Sequence, residues 1–112
     1  MKLAVNSLLV VQVAALAEAL GMLAQYGIES QQAMDFFANL PTLSPAAKVY
    51  GNLMKQGDHR PLFPIELAEK DFRYILKSWQ STPLAQTTQQ ILCLAIEQGL
   101  ADENISALIK LY

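Results

Sequence analysis

The sequence predicts an all-α fold, a single helical domain of about six helices with a long, largely buried first helix. Three observations predict it. Apolar residues recur at helical spacing, as Leu67, Phe72, Ile75, Leu76 and Trp79 do. No stretch alternates apolar with polar, and no Asn-Gly or Asp-Gly hairpin dipeptide occurs. Prolines and glycines fall where such helices would begin and end. A chain of 112 residues is long enough for one core and short of the size at which chains divide, and it shows no internal repeat or low-complexity stretch.

The first helix is expected over residues 2 to 26, a run rich in Leu, Ala, Val and Met with no proline. It is apolar on nearly every face, the pattern of a helix buried all round. Gly27 suits the left-handed position that closes it, with Ile28 making the apolar contact beyond. A second helix spans about Ser30 to Asn39. Ser44 and Pro45 supply an N-cap hydroxyl and a first-turn proline for a third, running to about Gln56. Gly57 to Pro64 form a loop of extended character around Phe63, because each proline pushes its predecessor out of the helical region. The fourth helix is expected from Ile65 to about Gln80, with Glu66–Lys70 and Glu69–Arg73 as i,i+4 pairs. Pro83 opens a fifth that ends near Gly99, and Asp102 to Asn104 can cap a short last helix reaching Tyr112.

Composition excludes several classes of function. Hydrophobic residues make up 53% and charged residues 16%, against a usual charged share of roughly 25%; so little charge implies that a partner covers part of the surface. The net charge is −2 and the basic residues are scattered, which removes the electrostatic basis for binding nucleic acid. The apolar start imitates a secretory signal, but Asn6, Ser7 and Gln12 interrupt it and the helical register runs on. Gln12 and Glu18 also break the only candidate for a membrane span. A cytoplasmic protein with no membrane partner is expected. One histidine and one cysteine leave no metal site, and five dispersed glycines form no phosphate-binding loop. Cys93, between Leu92 and Leu94, reads as a small buried hydrophobe, and His59, between Asp58 and Arg60, as a solvated loop residue.

The residues that could carry chemistry are few. Lys2 and Asn6 lie one turn apart on one helix face. There a lysine could exchange a proton with a substrate hydroxyl or carbonyl while the asparagine orients it. A lysine suits that task because burial in an apolar site lowers its pKa; from spacing alone, a lysine at a helix start is ordinarily a solvated end residue. Lys70, Arg73 and Lys77 form a basic stripe that is either a solvated face or a contact for nucleotide phosphate and ribose. Asp71 lies off that stripe toward the apolar side, where a carboxylate needs a partner, and Lys2 is one candidate.

Taken in order, these pieces resemble a known family. Lys2-Leu-Ala-Val-Asn6 is similar to its lysine motif, and Ala17-Glu18-Ala19-Leu20 with Gly27-Ile28 to its first helix. Met54 to Phe63, then Glu69-Lys70-Asp71-Phe72, then Ile105 to Leu111 match its later segments. The chain resembles, over essentially all of its length, the C-terminal helical domain of the β-hydroxyacid dehydrogenases. That group includes 3-hydroxyisobutyrate dehydrogenase, tartronate semialdehyde reductase and glyoxylate/succinic semialdehyde reductase, and shares a 6-phosphogluconate dehydrogenase C-terminal-like fold. The resemblance implies that residues 1–112 are the substrate and dimerisation domain of an oxidoreductase using NADP or NAD on small 3-hydroxy acids or the matching aldehyde acids. It implies Lys2 as the catalytic lysine and Asn6 as substrate-binding. Phe63, Lys70 and Asp71 are implied at the cofactor. The family's N-terminal nucleotide-binding domain, with its glycine-rich turn, is not in this sequence, so neither cofactor binding nor turnover is expected of these residues alone. A homodimer is implied as well. Arg60 and Leu62 depart from the family's loop before Phe63, Trp79 to Pro83 replace a longer stretch, and Asn104 stands where an aspartate is common. The rival reading is a non-enzymatic helical interaction or dimerisation module.

Overall fold

A computed structural model describes all residues, Met1–Tyr112. Five α-helices follow one another: α1 (Lys2–Ala24), α2 (Ser30–Phe37), α3 (Pro45–Gln56), α4 (Ile65–Ser78) and α5 (Pro83–Glu97). A 3-10 helix, Ile105–Leu111, ends the chain where a short sixth helix was expected. There is no sheet; one isolated antiparallel bridge joins Pro64 to Asn104. The Cα radius of gyration, 13.6 Å, is close to the roughly 13 Å of a compact domain of this size.

Local chemistry sets the helix ends. At α1 the chain turns through Gly27, whose φ of 79° is open to glycine at no cost. The Ile28 amide then reaches back to the Leu23 carbonyl at 3.1 Å, which satisfies a carbonyl the helix leaves over. Gly57 closes α3 in the same way, with φ 68° and the Asp58 amide on the Leu53 carbonyl. Ser44 caps α3 by accepting from the Ala47 amide at 3.1 Å and at the same time donates to Gln12 Oε1 at 2.6 Å. One hydroxyl therefore ends a helix and fastens it to α1. Helix α4 stops at Ser78, short of Gln80, because Trp79 is extended and Ser81 takes a left-handed φ of 59° so that the chain can reverse into Pro83.

The core is built on the later part of α1. Val10, Val13, Ala14, Leu16, Ala17 and Leu20 are buried there and join Met34, Met54, Ile65, Phe72, Leu92 and Leu108 in one continuous cluster. Phe72 is the largest side chain wholly removed from solvent, a burial that stabilises by about 1.5–3 kcal/mol. The expectation of a first helix buried all round is corrected. No residue before Val10 is buried, and Val5 and Leu8 stand exposed. The first two turns are therefore less covered than the rest of the helix. By length and mean hydropathy, 1.9 over its best window, α1 is long and apolar enough to cross a membrane; Gln12 and Glu18 do not exclude that, as the sequence had suggested. The burial of Val10 to Gly21 inside the bundle explains the apolarity of its core half without a bilayer.

Ser44→Ala removes the cap and the bridge to Gln12 together, and about 1–2 kcal/mol of stability should be lost. Urea unfolding checks this, and a change below about 0.3 kcal/mol would show that neither bond matters.

Candidate functional site

Lys2 and Asn6 occupy the first two turns of α1, and α4 runs beside it. The Asn6 Nδ2 donates to Asp71 Oδ2 at 2.9 Å, across 65 residues of sequence. The partner that Asp71 requires is thus Asn6, and not Lys2, which is in none of the three ion pairs of the structure. An ionised carboxylate only accepts, so it fixes which way the amide faces. The Asn6 Oδ1 and its second N–H are left for another group. Both side chains are half-buried, and Lys2, one turn earlier, is exposed.

Lys70 and Phe63 flank this pair along the chain. Lys70 is exposed, its Nζ 5.9 Å from the centre of the Tyr74 ring. The expected Glu66–Lys70 pair is not among the ion pairs, so the ammonium has no carboxylate holding it. Arg73 does pair with Glu69, at 2.7 Å, and Lys77 lies in the last turn of α4, where a cation suits the helix dipole. The basic stripe is therefore divided: one charge is engaged, and Lys70 remains available. Phe63, half-buried, packs on the core two residues ahead of α4. A cleft of about 290 Å³ between α1, α4 and the start of α5 is lined by Ser7, Val11, Phe72 and Leu84 among others. None of Lys2, Asn6 or Asp71 lines it, although Ser7 and Phe72 are the sequence neighbours of Asn6 and Asp71. A better-formed apolar groove of about 260 Å³, lined by Gln12, Ala15, Ala19 and Phe37, contains none of the candidate residues. No three His, Cys, Asp or Glu side chains cluster together.

Comparison with known proteins follows from this arrangement. Residues 1–112 match the family described as NAD-binding of NADP-dependent 3-hydroxyisobutyrate dehydrogenase. The chain belongs to that family. It is 32% identical to the uncharacterized oxidoreductase YfjR of Bacillus subtilis, over 97% of this chain and 40% of that protein. It is 27% identical to the chloroplastic glyoxylate/succinic semialdehyde reductase 2 of Arabidopsis thaliana, over 98% of this chain and 32% of that one. Among solved structures it is similar to 3-hydroxyisobutyrate dehydrogenase from Salmonella typhimurium. There the TM-score is 0.86 at 26% identity, covering 99% of this chain and 40% of the other. The chain thus spans about two fifths or less of the oxidoreductases it matches.

The structure corrects the sequence reading of three single residues. His59 is not a freely solvated loop residue. It is half-buried with Nδ1 2.8 Å from Ser106 Oγ, and burial, followed by the charge of Lys110, pushes its pKa down from the ordinary value. Cys93 is not a simple apolar filler either. It is only partly buried, and its sulfur accepts from Gln89 Nε2 at 3.2 Å. Burial first, then Glu69, pushes its thiol pKa up. Both partners lie on other turns or elements, which spacing along one segment does not expose. Asn104 was read as a cap of the last helix. It is wholly buried, and its Oδ1 instead accepts from the amides of Leu62, at 3.2 Å, and Phe63, at 2.9 Å.

The Asn6–Asp71 bond should carry a coupling energy of about 1–2 kcal/mol, as a partly buried bond to a charged group does. A double-mutant cycle of Asn6→Ala and Asp71→Ala in urea unfolding measures it; strictly additive losses would mean the two side chains do not act together.

Proposed function

We propose that residues 1–112 are the C-terminal helical domain of an NADP- or NAD-dependent β-hydroxyacid dehydrogenase, acting on a small 3-hydroxy acid or the matching aldehyde acid. The domain supplies the catalytic lysine and the dimer interface, and a nucleotide-binding domain outside these residues completes the site. One observation supports the reading above the rest: Asn6 is pinned to Asp71 at 2.9 Å, one turn from Lys2, in a chain whose every residue lies within the family match.

Lys2 Nζ, as the free amine, takes the proton from the substrate hydroxyl when the hydroxy acid is oxidised. In the reverse direction its ammonium returns that proton to the carbonyl oxygen. Asn6, its amide held by Asp71, offers an acceptor and a donor to the same substrate oxygen or to Lys2, which fixes their mutual geometry. Bound NADP or NAD supplies the hydride acceptor or donor. The residues present suit such a cofactor: Lys70 is an exposed cation without a carboxylate partner for phosphate or ribose, and Phe63 offers a half-open aromatic face to a nicotinamide. The family description, NAD-binding, supports a cofactor contact from this domain. Alone, the domain lacks a glycine-rich phosphate turn and is inactive on this reading. The reading places the enzyme in the cytoplasm, with neither nucleic acid nor membrane as a partner.

The interface half of the reading is supported by what packing leaves uncovered. Phe36 is 65% exposed and Val49 53% exposed, on α2 and α3 respectively. Light scattering should find twice the 12.4 kDa chain mass at high concentration, and monomer throughout would count against a dimer.

Mixed with or joined to a family nucleotide-binding domain, the chain should turn over a small 3-hydroxy acid. Lys2→Ala should then lower kcat by about 10²–10⁴-fold with stability unchanged within about 0.5 kcal/mol, because the side chain is exposed. Undiminished turnover in that variant removes Lys2 from the mechanism and returns the chain to the non-enzymatic module.

A further inference from the structure

The loop from Gly57 to Pro64 has no regular structure, yet its main chain is held at His59, Leu62 and Phe63 by the segment that leads into the 3-10 helix. The Asn104 amide donates to the His59 carbonyl at 3.1 Å, the Ile105 amide to the Phe63 carbonyl at 2.9 Å, and the Ile65 amide to the Glu103 carbonyl at 2.9 Å. Phe63 is gripped twice, since its own amide donates to Asn104 Oδ1. A connection between two helices does not need this. The grip depends on a fully buried amide side chain, and behind it stands a chain of polar groups.

Asn104 Nδ2 donates to Ser106 Oγ at 2.9 Å, and Ser106, also wholly buried, lies 2.8 Å from His59 Nδ1. The hydroxyl has one hydrogen. Its oxygen already accepts from Asn104, and in the Nε2–H tautomer of neutral imidazole that hydrogen goes to Nδ1. A proton on Nδ1 would reverse the bond and oblige the Ser106 hydrogen to turn away from His59 inside a wholly buried site. The charged groups facing His59 are Asp58 and Arg60 on its own loop, and Glu103 and Lys110 on the opposing segment. Lys110 and burial disfavour the imidazolium, while Glu103 and Asp58 favour it.

We propose that Asn104, backed by Ser106 and His59, is the positioning residue that sets where the Phe63 ring stands, and that protonation of His59 loosens this hold. The functional weight of the proposal rests on the reading of Phe63 as the ring beside the nicotinamide. Asn104, Ser106 and His59 touch no reacting atom in it; they act through Phe63.

Nuclear magnetic resonance of the 112-residue chain tests the lock without any cofactor. The amide signals of Leu62 and Phe63 should move with the titration of the His59 ring, at a midpoint below the ordinary value of about 6.5. Ser106→Ala should leave His59 titrating and abolish that movement. Asn104→Asp keeps an acceptor for both amides and turns the Ser106 hydrogen toward the carboxylate, so His59 Nδ1 must donate and its midpoint should rise. Amides that stay still through the wild-type titration, or a midpoint unmoved by Asn104→Asp, overturn the lock. In the completed two-domain enzyme, Ser106→Ala should raise the cofactor KM by roughly three- to tenfold with kcat within about twofold. A coupled amide titration with unchanged KM would overturn the role given to Phe63 and keep the lock.

Discussion

The fold depends on α1 being packed along only part of its length. From Val10 to Gly21 it is the stem against which the other helices bury their apolar sides. Before Val10 no residue is fully buried, although Leu9 packs on the core's edge, and there the long-range side-chain hydrogen bond is that of Asn6 to Asp71. A helix advances about 1.5 Å per residue and is stiff over a few turns. Fixing the stem at one end and Asn6 at the other therefore fixes the backbone at Lys2 as well, although Lys2 itself makes no ion pair. A single side-chain hydrogen bond between sequence-distant helices thereby locates an exposed lysine that the core never touches.

In a chain with so few charges, the buried polar groups have to be matched closely, and they are: no buried side-chain nitrogen or oxygen lacks a partner. Glu69, almost wholly buried, accepts from Arg73 at 2.7 Å and from Gln89 at 2.9 Å. That joins α4 to α5 through a carboxylate whose exposure to an apolar neighbour would otherwise be costly. Asn104 does the same for the loop before α4. Leaving either side chain's partners unpaired would cost about 1–3 kcal/mol per group, which is more than a typical surface ion pair such as Arg60–Asp58 contributes. The polar bonds that matter in this domain are the few inside it.

The helices and most of their ends were legible in the sequence because their causes are local. Ser44 and Pro45 start α3, Gly27 and Gly57 close helices in the left-handed conformation, and Glu69–Arg73 forms at its i,i+4 spacing. Family membership was legible from the order of five short segments. What escaped was set by residues far away in sequence. Hydropathy marked α1 as apolar but could not say that no residue before Val10 would be fully buried. His59 read as solvated because Ser106 lies 47 residues on. Asn104 looked like a cap because it precedes a helix, whereas its oxygen is spent on the Phe63 loop, 41 residues back. For the site itself, residue types were readable, and the pairing of Asn6 with Asp71 in place of Lys2 with Asp71 was not.

Proton exchange at a lysine near neutral pH is helped by whatever lowers the ammonium's affinity for its proton. Apolar enclosure lowers this affinity. Within the chain, one wall of such an enclosure exists. Val5 and Leu8 are exposed on the same two turns as Lys2, and Leu84, 61% exposed, lines the cleft beside Ser7. Their apolar surface is left uncovered by the domain's own packing, on the same two turns of α1 as Lys2 and Asn6 in the case of Val5 and Leu8. A second body closing over that end would bury those side chains and dehydrate Lys2 in one step, so the same surface that weakens the isolated domain would make its lysine useful in the assembled enzyme. If the proposed function holds, the lightly covered end of α1 would form one side of a site and the nucleotide-binding domain the other.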